Sequence, residues 1–86
     1  MEYQLITILD RAIQAFLPLG NVRAEGEALR VFKDMIEQQG SPQNKHPDDY
    51  DLYIVGKFND QTGEITPEKP RKIADGKTYR EMLSAT

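Results

Sequence analysis

Nine residues, Tyr50 to Phe58 (YDLYIVGKF), constrain this chain more than any others. Aromatic and β-branched residues dominate them, which is the composition of a strand. By alternation Leu52, Ile54, Gly56 and Phe58 share one face, and Tyr53, Val55 and Lys57 the other. A strand with water on one side alternates apolar and polar residues more cleanly than this. The second face is therefore expected to be covered by another subunit or a ligand. The strand runs into NDQTG, where Asn59 and Asp60 can fold onto their own backbone and Gly63 supplies a positive φ. A hairpin follows, returning through EITP with Ile65 pointing inward and Pro67 ending the strand.

Upstream, AEGEALRVFKDMIEQQG places Ala28, Leu29, Phe32, Met35 and Ile36 on one stripe at three- and four-residue steps. This predicts an amphipathic helix with Asn21 as its early cap, Gly26 in its first turn and Gly40 as its stop. Residues 3–9 are open. Tyr3, Leu5, Thr7 and Leu9 alternate as in a strand, while Leu5, Leu9, Ala12 and Phe16 also fall at helical spacing. If Asp10-Arg11 is a turn, IQAFLPLG returns as a second strand, and Pro18, lacking an N–H, confines it to an edge or ends it. SPQNKHPDD reads as a polar loop. Tyr79, Met82 and Leu83 predict one or two helical turns near the end of the chain.

The chain has 86 residues, enough for one modest core. It is 38% hydrophobic and 29% charged, as expected for a small globular domain with a large wet surface. It contains no cysteine, which excludes disulfides, thiolate metal sites and a cysteine nucleophile. No apolar run reaches the ~18–20 residues a membrane span needs, and the opening MEYQLITILDR lacks the basic segment of a secretory leader. An intracellular protein without membrane contact is the expectation. The net charge of −3 disfavours a generic DNA binder, which is usually basic. Charge is nevertheless uneven: residues 68–80 carry five cations against two carboxylates. A solvated tail is the plainer reading of such a run.

His46, Asp48, Asp49 and Asp51 form the one cluster with metal-like chemistry, but neither calcium-loop spacing nor a zinc ligand set is present. Pro47 presets a turn and the aspartates accept backbone N–H bonds, so the cluster reads as the corner that starts the strand. Ser41 and Ser84 lack a nucleophile-elbow glycine pattern, and GNVRAEG is not a phosphate loop. No catalytic residue, metal or cofactor is expected. Single-stranded DNA is held by aromatic platforms beside basic side chains. The candidates for that role are Tyr53 and Lys57 on the strand, Arg23, Arg30 and Lys33 from the helix region, and Arg71 and Lys72 from the tail. Phe58 and Phe32 read as core. Tyr53 reads equally as a platform or an interface residue.

Taken in order, TILDRAIQAFLP, GEALRVFKDMI and NKHPDDYDLYIVGKFNDQTGEITP resemble the small nonstructural protein of gokushoviruses, single-stranded DNA phages of the Microviridae. The match rests on Asp10, Phe16 and Pro18, then on Ala28, Arg30 and Phe32. The Lys-His-Pro-Asp-Asp-Tyr run of residues 45–50 comes next, followed by Gly56, Phe58, Asn59, Asp60, Thr62, Gly63, Thr66 and Pro67. It covers roughly residues 3–70. Leu19-Gly20 departs from the Pro-Phe common there, and nothing from Arg71 onward maps. The resemblance implies a strand for residues 3–9. It also implies an accessory role in viral single-strand DNA synthesis and packaging in the host bacterial cytoplasm, by binding DNA. The alternative is an adaptor that binds the replication initiator or capsid precursor without touching DNA.

The resulting expectation is an α+β domain over residues 1–70, of order β-β-α-β-β, with one amphipathic helix on an antiparallel sheet. A basic tail or short helix spans residues 71–86. One helix cannot cover both faces of a four-stranded sheet, so a homodimer is expected.

Overall fold

In the computed structural model, which describes residues 1–84, strand alternation prevails over helical spacing at the N-terminus. Residues Glu2–Asp10 form β1, with Ile6 and Ile8 buried on one face. The chain order is β1, β2 (Ala15–Phe16), β3 (Gly20–Val22), α1 (Glu25–Glu37), α2 (Pro42–Lys45), a 3-10 turn (Pro47–Asp49), β4 (Tyr50–Asn59), β5 (Ile65–Asp75) and α3 (Gly76–Ser84). All strand pairs are antiparallel, in the order β2-β1-β4-β5, with β3 also on β1. This is the expected α+β domain, with a broken second strand and a C-terminal helix.

The second strand breaks where its sequence demands. Leu17-Pro18-Leu19 interrupts it, so β2 pairs with Leu9 and Asp10 and β3 with Gln4 to Ile6. Both pieces lie at the sheet edge, as Pro18 requires. The opposite edge is β5, which corrects the return strand expected to stop at Pro67. It continues to Asp75 through Pro67 and Pro70, because an edge strand tolerates a missing donor and bulges absorb the surplus residues. Three residues of β5, Glu68 to Pro70, span a stretch that Val55 alone fills in β4. The division expected at residue 70 therefore falls inside a strand. Arg71 and Lys72 belong to the sheet, not to a tail, and the last two residues of that expected tail lie outside the described residues.

Helices α1 and α3 cover one face. Ala28, Phe32 and Ile36 of α1 meet Ile6, Ile8, Val22, Tyr50, Leu52 and Ile54 in the core. Phe32, Leu52 and Ile54 are the largest fully buried side chains, and burying each contributes ~1.5–3 kcal/mol. Tyr79 of α3 packs edge-on against Phe32, with ring centroids 5.8 Å apart. The cap of α1 also differs from expectation. Asn21 pairs with Leu5 inside β3, and the cap position is Ala24, whose side chain makes no capping bond. Glu27 acts instead, accepting from the Arg23 backbone N–H at 2.9 Å and from its guanidinium at 2.6 Å. That pairing holds the Glu27 carboxyl below the usual carboxylate range.

The segment expected as a loop is tightly ordered. Ser41 caps α2 by accepting from the Asn44 N–H, and Asn44 Nδ2 donates to the Ile36 carbonyl at 2.8 Å. Pro47-Asp48-Asp49 makes the corner into β4, where Arg80 of α3 binds Asp48 at 2.8 Å. Gly76 packs so closely on the Pro47 carbonyl that a Cβ there would collide with it. The described residues contain no group of three His, Cys, Asp or Glu able to hold a metal.

Candidate nucleic-acid interface

The helices leave the other face of the sheet open, and the cross-strand register determines which side chains lie on it. Residues directly opposite one another in an antiparallel pair share a face. Thr7 faces Tyr53, and Leu9 faces both Phe16 and Asp51, so these five lie away from the helices. Phe16 and Tyr53 meet edge to face at 5.3 Å. Thr7, on the strand between them, is buried, and its hydroxyl donates to the Leu17 carbonyl. Phe16 itself is 49% exposed.

A bulge at Val55 changes the second half of β4. Ile6 pairs with Ile54, but Leu5 pairs with Gly56, so β4 carries one extra residue. An extra residue in a strand of period two moves everything beyond it to the other face. Phe58 therefore lies opposite Tyr3 on the open face, half-buried, and is not in the core. Lys57 lies opposite Gln4 on the helix-bearing face and does not share a face with Tyr53. Ile65, opposite Phe58, is 60% exposed and does not point inward. Tyr3, Leu5, Leu9, Phe16, Tyr53 and Phe58 thus form one apolar, largely aromatic surface.

Of the seven candidate residues, the fold places Tyr53 and Lys72 together on the open face, directly opposite on β4 and β5. Arg71 points to the helix side, where Glu25 stands 3.4 Å away. Arg23 is held by Glu27, Arg30 stands 4.0 Å from the same carboxylate, and Lys33 lies 3.4 Å from Glu37. Sequence reasoning missed Phe16, Arg11 and Asp51. Asp51 is 3% exposed, with Arg11 Nε 3.4 Å from one of its oxygens and Lys72 Nζ 4.0 Å from the other. Its place beside Tyr53 was readable from the two-residue spacing. Phe16 required the register across β1, which no local pattern carries.

An antiparallel sheet with helices on one side and an aromatic patch on the other defines a two-layer α+β domain with an open sheet face. The chain belongs to a bacteriophage protein family: the family model described as Phage ORF5 protein matches residues 3–79. This bears out the resemblance to a small phage protein. No curated protein and no solved structure matches the chain. Among the described residues no helix is long and apolar enough to cross a membrane.

Proposed function

We propose that this is a nonenzymatic accessory protein of a gokushovirus-like phage, acting in single-strand DNA synthesis and packaging in the host cytoplasm by binding single-stranded DNA. The observation that supports it best is the edge-to-face pair of exposed Phe16 and partly exposed Tyr53 on a sheet face free of helices, with Lys72 and Arg11 alongside. Bases stack on such rings with ~1–3 kcal/mol each, whatever their sequence. Phosphate contacts are few, because all five arginines face a carboxylate.

Titration of a labelled single strand tests this at two salt concentrations. Phe16→Ala and Tyr53→Ala should each weaken binding roughly tenfold or more, with the fold unchanged by circular dichroism. With at most two cations free to meet phosphate, the salt slope should be shallow, no steeper than about −1.4 on logarithmic axes. Unchanged binding in both variants would refute the stacking reading.

The adaptor reading is favoured by one observation: Arg23, Arg30, Lys33, Arg71 and Arg80 all face acidic neighbours. On that reading the aromatic face docks on a viral replication or capsid protein. Absence of DNA binding even at low salt would leave this second reading standing.

A further inference from the structure

A cleft of about 390 Å³ opens beside the aromatic face, lined by Arg11, Asp51, Lys72, Asp75 and Lys77 among others. Asp51 is its buried member, and its Oδ1 accepts no hydrogen bond among the described residues. Lys72 Nζ remains 4.0 Å from that oxygen, and Arg11 approaches the other one. A buried carboxylate oxygen without a hydrogen-bond donor is costly, so Asp51 Oδ1 is the acceptor in this cleft that a bound donor would satisfy. Tyr53 lies two residues along β4 on the same face, directly opposite Lys72.

Resting on the DNA reading above, we infer that this cleft selects cytosine and adenine over thymine, with Asp51 Oδ1 accepting from the exocyclic amine of the base stacked against Tyr53. In both bases the amine adjoins a ring nitrogen that accepts a hydrogen bond. That donor–acceptor edge matches a carboxylate set beside cationic donors. Aspartate accepting from the cytosine amine is an established pairing type. Thymine offers the reverse. Its only ring donor is flanked by two carbonyl oxygens, which would be pressed against the carboxylate. Lys72 is half-exposed and sits on a bulged edge strand, so its ammonium is free to swing from Asp51 toward a phosphate. Arg11 remains as the countercharge, so the carboxylate is never left buried alone.

The test compares oligo(dC), oligo(dA) and oligo(dT) of equal length against the full chain by fluorescence anisotropy. Oligo(dT) should bind roughly fivefold to tenfold more weakly than the other two. An oligomer of N4,N4-dimethylcytosine, which stacks but cannot donate, should fall to the oligo(dT) level. In Asp51→Asn the amide both donates and accepts, so the preference should shrink to about twofold or less. The dimethylated oligomer needs no altered protein, so the test survives if that variant fails to fold. Equal binding of all four oligomers would overturn the base selection while leaving the DNA reading intact. Binding of none would overturn the DNA reading itself.

Discussion

At Gly56 a Cβ would lie 2.6 Å from the Thr66 carbonyl oxygen, so β5 crosses there closer than any side chain permits. Gly56→Ala should therefore cost about 1–3 kcal/mol through forced backbone displacement, measured by chemical denaturation. Gly26 is the control. Nothing lies within 4 Å of its Cβ position and it sits in the first turn of α1, so Gly26→Ala should gain about 0.5 kcal/mol. The two glycines look alike in sequence; only the neighbouring strand separates them. Asp48 makes a second residue-scale case. Its hydrogen bond to Arg80 holds the carboxyl below its ordinary value, with desolvation opposing. A carboxyl with a lower pKa folded than unfolded contributes stability above its unfolded value. That stability is lost as pH falls through the folded one. Asp48→Asn should flatten the decline in melting temperature below about pH 4 and change it least under strongly acid conditions, as followed by thermal melts across pH. The sequence showed Asp48 as a turn residue; its partner, 32 positions away, was not legible.

At the scale of elements, α1 and β4 were readable because each carries its own periodicity. The end of the chain was not. Residues 68–80 look like a charged tail because one half is an edge strand, wet by position, and the other a helix touching the core through a single aromatic. Deleting residues 71–86 would thus remove part of β5 and all of α3, and loss of any activity would report unfolding rather than lost contacts. Tyr79→Ala is the cleaner probe of α3. It removes the ring against Phe32 and should cost about 1–2 kcal/mol in denaturant while the β signal in circular dichroism persists. The 3-10 corner and α3 support each other through Asp48–Arg80 and the contact of Gly76 with Pro47. The histidine corner is thus a structural joint.

The whole molecule is longer than a sphere of its mass. Its radius of gyration is 13.5 Å, against roughly 12 Å for a compact domain of this length, and it extends 43 Å along its major axis. Prolines lie along both sheet edges, Pro18 between β2 and β3 and Pro67 and Pro70 within β5, and disfavour strand addition there. Association through the sheet is then expected at the open face. If a second copy covers that face, sedimentation should give a dimer that Phe16→Asp converts to monomer, and a monomer at working concentration would sink the idea. The identities of β4, α1 and the turn that follows β4 were determined by sequence alone, because alternation, helical spacing and the Asn59–Gly63 turn are local signals. So was the phage family, carried by the ordered run from Asn44 to Pro67. The composition of the open face was decided only by tertiary structure. One bulge at Val55 moved Phe58 onto that face and Lys57 off it, and one register across β1 set Phe16 against Tyr53. Pairing between distant strands is a long-range choice, and a single extra residue reverses every side chain beyond it.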